Sequence, residues 1–307
     1  MDEHKLWNLV HEAWSALGPH FMPTFERFSA ERGLDMPTWG LLLAALTLDP
    51  ITPSRLQVRG PYTAAEGYLA RLAAAAEKGY LAEVAPGEYR LTDTGRAEVH
   101  RSIKKVRAAM VEADPLPEAD SERLINLLDR LVQACLDTPP PPDTLRRRSG
   151  QAWSISLSHK LMPAASPPLP YIEQAISCLA AYRDDAHLAA WQPSGLSATA
   201  LETLTFLWRG EADSLDVLCE RLAHRGHPRQ MYAQALAELR ERGLIEEPDS
   251  APRVTEAGRS FRDQVEADTD RYFFAPWACL DDAEKAGLAD LLPRLRDGLR
   301  ESAPSGG

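Results

Sequence analysis

The side chains best suited to chemistry in this chain gather around one helix start. Arg221, Arg225, His227, Arg229 and Gln230 lie just before and inside an apolar-periodic stretch that ends at Gly243. An arginine fork matches a phosphate or the O6/N7 edge of guanine, and a glutamine can bridge the N6/N7 edge of adenine. At a helix start such residues suit the reading of a DNA groove. The bland alternative is a solvated helix face, which uses the same residue types.

Other chemistries are poorly supplied. His224 and His227 flank a turn with no carboxylate at supporting spacing, so they read as surface histidines rather than a zinc site. Cys135, Cys178, Cys219 and Cys279 are far apart, form no CxxC and sit in apolar helical contexts, so they read as reduced core residues. There is no GxSxG, no Walker loop and no dinucleotide fingerprint. No catalytic residue, metal or cofactor is expected.

The elements that position the basic group are written twice. Lys78-Gly79-Tyr80-Leu81-Ala82-Glu83 leads through a polar gap to Arg90-Leu91-Thr92-Asp93-Thr94-Gly95-Arg96. Arg242-Gly243-Leu244-Ile245-Glu246-Glu247 leads likewise to Arg253-Val254-Thr255-Glu256-Ala257-Gly258-Arg259. The syntax is helix, Gly stop, short strand, tight turn, short strand and Thr-capped helix, which is that of a winged helix-turn-helix. Leu124, Leu127, Leu128 and Leu131 recur as Leu288, Leu291, Leu292 and Leu295, so the repeat extends into the closing helices.

The fold class expected is mainly α with small β-wings. Its parts are an N-terminal winged-helix module with arm helices (1–136), a Pro-rich linker (137–170), a C-terminal module (171–301) and a disordered tail (302–307). Residues 3–31 read as a helix kinked or split at Leu17-Gly18-Pro19 and Pro23. Thr63 is expected to cap the helix that ends at Gly79. Helices are expected over 38–48, 171–190, 197–208, 214–224 and 228–242, and Trp153–Leu161 as a strand or a docked segment. The second wing is placed at 244–255.

Composition bounds the rest. The 307 residues carry a net charge of −11, which lowers the expectation of a protein built only to hold nucleic acid, although one basic face would suffice. No apolar run is long enough to span a membrane and no signal peptide is evident, so a cytoplasmic location is expected.

Each half resembles a MarR-type winged-helix protein. In the first half the resemblance rests on Glu31-Arg32-Gly33-Leu34-Asp35-Met36-Pro37-Thr38-Trp39, Glu77-Lys78-Gly79-Tyr80-Leu81 and Leu91-Thr92-Asp93-Thr94-Gly95-Arg96. In the second it rests on Leu236-Ala237-Glu238-Leu239-Arg240-Glu241-Arg242-Gly243-Leu244-Ile245 and Val254-Thr255-Glu256-Ala257-Gly258-Arg259. The second half is also similar to tandem winged-helix proteins known only as helix-turn-helix, through Asp268-Thr269-Asp270-Arg271 and Ala275-Pro276-Trp277. MarR proteins are homodimers, so the resemblance implies an intramolecular pseudo-dimer: a monomer with an internal two-fold, and two recognition helices suited to half-sites one DNA turn apart.

Its departures from the family are specific. Neither wing carries the Asp-x-Arg that grips the minor groove. The first recognition helix, from Thr63, offers Arg71 and a facing Glu66; Arg90 and Arg253 lie near the wings. The DNA-contact set expected is therefore Arg221, Arg225, Arg229, Gln230 and Arg253, with Thr63, Arg71 and Arg90 in the thinner first copy.

The aromatics allow two readings. Trp7, Trp14, Phe25, Trp39, Tyr272 and Trp277 are either helix-bundle core or the lining of a pocket for a small hydrophobic or aromatic effector, with Asp270 or Arg271 as polar anchor. The function expected is transcriptional regulation through double-stranded DNA, modulated by such a ligand. The rival is a degenerate scaffold that binds a ligand or protein without DNA. A DNA-repair enzyme ranks third: winged-helix repeats occur in some DNA glycosylases, but their Gln-x-Gln signature is missing.

Overall fold

The first head forms from helices that the sequence starts and stops locally. The computed structural model describes residues 2–111, 113–246 and 251–303. Helix α2 (Met36–Ala44) opens on Asp35, whose carboxylate accepts from the Thr38 N–H at 2.8 Å. Helix α3 (Pro53–Gln57) opens on Thr52 in the same way. Helix α4 (Ala65–Glu77) is followed by the hairpin of β1 (Leu81–Ala85) and β2 (Glu88–Leu91), with Leu81 opposite Leu91. The expected Thr63 cap is corrected: the cap residue is Ala64, without a side-chain bond, and Thr63 is buried. Trp39, Phe28, Leu42, Ile51 and Leu72 make this head's core.

The second head follows the same order. Helix α10 (Ala198–Trp208) is capped by Ser197, and α11 (Leu215–Arg221) by Ser214. Helix α11 is shorter than expected, because a 3-10 turn over Ala223–Arg225 takes up the rest. Helix α12 (Arg229–Glu241) leads to β3 (Ile245–Glu246), which pairs antiparallel with β4 (Arg253–Val254). Residues 247–250 of the expected second wing, and 304–307 of the expected tail, lie outside the described residues.

The doubled phrase has a doubled geometry. The Thr92 hydroxyl donates to Gly79 O at 2.7 Å and accepts from Gly95 N at 2.9 Å. The Thr255 hydroxyl donates to Gly243 O at 2.7 Å and accepts from Gly258 N at 3.0 Å. A Cβ on Gly95 would lie 2.0 Å from Tyr80 O, and one on Gly258 2.1 Å from Leu244 O. Only glycine lets the helix start approach the strand that closely.

Long helices form a layer that joins the heads. Helix α1 (Glu3–Ala30) continues as one helix through Pro19 and Pro23, so the prolines do not split it in two. Packing along α5 (Asp93–Val111) and α14 (Asp282–Glu301) holds it, and His20 Nε2 lies 2.9 Å from Leu299 O. Helix α9 (Pro168–Trp191) packs in turn along α13 (Glu256–Phe274) and α6 (Glu118–Asp137), and α6 touches α14. Leu128, Leu179, Phe273, Trp277 and Leu292 are fully buried in one cluster between these helices. Each such side chain contributes about 1.5–3 kcal/mol of burial.

The segment expected to be a semi-stiff linker is instead folded onto α9. It holds α7 (Thr144–Ser149) and α8 (Ser154–His159). The buried Arg146 guanidinium donates to Asp185 Oδ1 at 2.5 Å and stacks over Trp153. Asp185 also accepts from the N–H groups of Ser154 (3.0 Å) and Ile155 (3.1 Å). The four cysteines are unpaired.

Candidate functional site

Helix α12 presents the basic group on an exposed face, but not all of it. Arg229 and Gln230 are exposed in its first turn, with Gln234 one turn on. Arg229 is paired with the exposed Asp216. Arg221 and Arg253 are exposed nearby, Arg253 opposite Glu246 in the β3–β4 pair.

Arg225 does not join this face. Its guanidinium is turned inward onto Glu202 Oε1, at 2.8 Å from Nε and 2.7 Å from Nη2, and lies 5.6 Å from the Tyr62 ring centroid. The expectation that it faces DNA is thereby corrected: a carboxylate and an aromatic ring hold it between the heads.

The first head offers less. The outer face of α4 carries Glu66, Leu69 and Ala70; Arg71 is half-buried. Thr63 is below the surface, so its expected place in a DNA-contact set is corrected as well. Arg90 is paired with Asp49 at 3.3 Å. The first wing places Glu83 and Glu88 around its turn, where Glu83 accepts from Gly87 N at 2.8 Å.

The two helix starts meet. Ala64 N–H donates to Arg225 O at 2.9 Å, and His227 Nε2 lies 2.9 Å from Tyr62 O. Half-sites one DNA turn apart need recognition helices roughly 34 Å apart. The expected two-groove arrangement is therefore corrected: in this structure α4 and α12 begin side by side.

Behind this junction lies a cleft of about 760 Å³, walled by α1, α9, α10 and α13 and closed by Tyr62 and Arg59 of the first head. Trp7 and Trp14 line it. The other expected pocket residues do not. Phe25 lines a separate apolar pocket of about 230 Å³ between α1, α5 and α9. Trp39 and Trp277 are fully buried core residues. Tyr272 packs beside Phe273 in the helical layer, under Arg271. Asp270 is used by Arg183 at 2.9 Å, and Arg271 by Asp268 at 2.7 Å.

The cleft's polar groups escaped sequence reasoning. Arg262 is buried, donating from Nε to Thr205 Oγ1 at 2.9 Å and pairing with Glu266 at 2.5 Å. Arg59 pairs with Asp184 at 3.0 Å. Two buried atoms of the wall have no hydrogen-bond partner, Arg262 Nη1 and Glu202 Oε2. Burial pushes the Glu202 carboxyl up, against the pull of Arg225. The Tyr62 hydroxyl is pushed up by burial and by Glu202. His187 is driven down to about 4 by burial, with Arg262 adding to it. One signal was legible: Arg262 falls in register with the buried Gly258, Val265, Thr269 and Phe273, an arginine on a core face.

Among the described residues, no group of three or more His, Cys, Asp or Glu is placed to hold a metal ion. No described helix is long and apolar enough to cross a membrane. A family model described as a helix-turn-helix family matches residues 156–304, from within α8 through the second head to the end of α14. No curated protein and no solved structure matches the chain.

Proposed function

We propose that this chain is a DNA-binding transcriptional regulator whose second head reads DNA in a single major groove, on a MarR-like pseudo-dimer frame made by one chain. The observation that carries the reading is the exposed Arg229, Gln230 and Gln234 on α12, inside the span matched by the helix-turn-helix family. Those residue types can pair bidentately with base edges, whereas the Glu66, Leu69 and Ala70 face of α4 offers no side-chain donor and sets a carboxylate toward the phosphates. Binding measured against DNA of its own promoter region over a salt series tests it. A regulator loses affinity steeply as salt rises.

Reciprocal packing supports the frame. Helix α1 lies on α14 as α9 lies on α6, which pairs each module's first helix with the other's closing helix. Arg123 packs over Gly287, the position that corresponds to it in the leucine repeat. Such self-complementary contacts are what a two-fold interface requires. On this reading the chain acts as a monomer, and a sedimenting dimer of the whole chain at micromolar concentration counts against it. Modulation by a small ligand is assigned to the Trp7–Trp14 cleft, which adjoins the junction of the heads.

The side-by-side helix starts favour a second reading, a scaffold that binds a ligand or protein and no longer grips DNA. Salt-independent absence of DNA binding decides for it. Neither reading assigns a catalytic step or a cofactor.

A further inference from the structure

One histidine of the cleft is held in a single tautomer. His187 Nδ1 lies 3.2 Å from the hydroxyl oxygen of the buried Thr269. That hydroxyl has one proton, and it is donated to Val265 O at 2.7 Å. Thr269 Oγ1 therefore accepts from His187, the imidazole proton sits on Nδ1, and Nε2 keeps a bare lone pair. Nε2 has no partner among the described residues and is not one of the wall's sealed polar atoms. Its ring is part-buried and lines the Trp7–Trp14 cleft. Burial, with Arg262 adding to it, drives the imidazole down to about 4, so at neutral pH this atom is an acceptor and not a cation.

An acceptor open to a cleft asks for a donor. A carboxylate or phosphate brings acceptors only. A cation at Nε2 meets the field that already opposes a proton on this ring, since Arg262, Arg183 and Arg209 disfavour one while Glu266 favours it. A neutral donor remains. A pyrrole-type ring N–H is donor only and leaves nothing unpaired against a lone acceptor, whereas a phenol hydroxyl brings two lone pairs of its own. The surface beside His187 is aromatic, at a defined interval. Thr269 and Phe273 stand one turn apart on the buried face of α13, about 6 Å along its axis. The Trp7 ring centroid is 4.7 Å from that of Phe273, edge-on. The His187 anchor and the Trp7 ring are thus set about one helical turn apart along α13, an interval that a flat bicyclic ring bridges.

We propose that the cleft binds a neutral aromatic heterocycle through its ring N–H, which donates to His187 Nε2 while the ring packs along Trp7. His187 is the recognition residue, and Thr269 is the positioning residue that fixes its tautomer. The device belongs to one half of the chain. At the spacing that carries Thr92 onto Thr255, Thr269 corresponds to Val106, which lines the apolar pocket beside Phe25 and has no hydroxyl to orient a histidine.

The inference rests on the assignment of ligand modulation to this cleft and names the class of ligand. Its test contains no DNA, so it and the DNA-binding reading fail separately. Purified full-length protein is titrated by calorimetry with indole and with 1-methylindole, which differ only in the donor. Indole is expected to bind at least about fivefold more tightly, the factor that one hydrogen bond of about 1 kcal/mol supplies. Nitrogen NMR of protein labelled at histidine, with His187 assigned by its loss in His187→Gln, reads the tautomer directly. The expected spectrum has the proton on Nδ1, and the bare Nε2 signal moves on adding indole but not 1-methylindole. Thr269→Val frees the ring and is expected to abolish the preference for indole. Equal affinity for the two compounds, no heat with indole at millimolar concentration, a proton on Nε2 in the unliganded protein, or a preference that survives Thr269→Val overturns the proposal.

Discussion

The backbone N–H of Ala64 donates to the carbonyl of Arg225 at 2.9 Å, and this bond joins the starts of the two candidate recognition helices. Gly226 lies against the same spot: a Cβ built on it would be 3.9 Å from the Ala64 Cβ and 3.8 Å from the Gly67 Cα. The heads therefore meet at the ends that a two-groove reader would keep apart.

The distance makes the junction testable by a lock. The Cβ separation matches the roughly 3.8 Å of a disulfide, so Ala64→Cys with Gly226→Cys is expected to crosslink within one chain on mild oxidation. Gly226 has φ 74°, so the cysteine there costs about 1–2 kcal/mol of backbone strain. If one head reads DNA, the oxidised protein keeps its DNA affinity. Affinity lost on oxidation and restored by reductant shows instead that the heads must part.

Arg229 and Gln230 are the side chains to remove on the DNA face. Arg229→Ala is expected to weaken specific DNA binding by about 1–3 kcal/mol, and Gln230→Ala to relax base preference at one position. Arg71→Ala on the first head should leave fluorescence-anisotropy titrations unchanged. Equal losses from Arg71→Ala and Arg229→Ala would put both heads on the DNA.

The Thr–Gly clasps should prove equally intolerant in both heads. Gly95→Ala and Gly258→Ala each force a methyl to about 2 Å from a carbonyl oxygen. Each is expected to cost at least the upper part of the roughly 1–3 kcal/mol seen for overpacking, measured by urea unfolding. Thr92→Val and Thr255→Val remove a cap and a bond to the Gly79 or Gly243 carbonyl, for about 1–2 kcal/mol. A Gly258→Ala protein of unchanged stability would mean that the strand and helix have room to separate.

His187 sets a pH dependence. Its folded pKa of about 4 lies below the ordinary 6.5 because burial disfavours the imidazolium, and Arg262, Arg183 and Arg209 oppose it while Glu266 favours it. The unfolded chain then binds the proton more readily, so stability falls as pH drops from about 7 and levels off below about 4. The full shift corresponds to at most about 3 kcal/mol, less in so far as the part-buried ring is solvated. His187→Gln should flatten that part of the stability profile, by comparing denaturant midpoints at neutral and acid pH. An unchanged slope would assign the acid sensitivity to other groups.

Removing Asp185 should release the folded connection. Asp185→Ala leaves the buried Arg146 with only the longer 3.5 Å pairing to Asp143 and takes the acceptor from the Ser154 and Ile155 N–H groups, a change expected to cost about 3–5 kcal/mol. Limited proteolysis between α7 and α9 should accelerate accordingly; equal cleavage of both proteins would show that the docking does not depend on this pair.

The sequence by itself determined the heads. Gly79 and Gly243, Thr92 and Thr255, and the apolar periodicity act within a few residues, so the helix order and the wings were legible. The leucines of α6 and α14 announced a shared closing layer. Tertiary structure alone decided the rest, because it depended on groups far apart in the chain. Asp185 draws the proline-rich stretch into α7 and α8 through Arg146 and two backbone amides. Packing along α14 carries α1 through two prolines. Arg225, which looked like a DNA contact, is claimed by Glu202, and Tyr62 of one head completes the cleft of the other. Local hydrogen bonds and burial patterns are written in neighbouring residues, whereas the pairing of a buried charge is settled only by which distant partner the fold brings within reach.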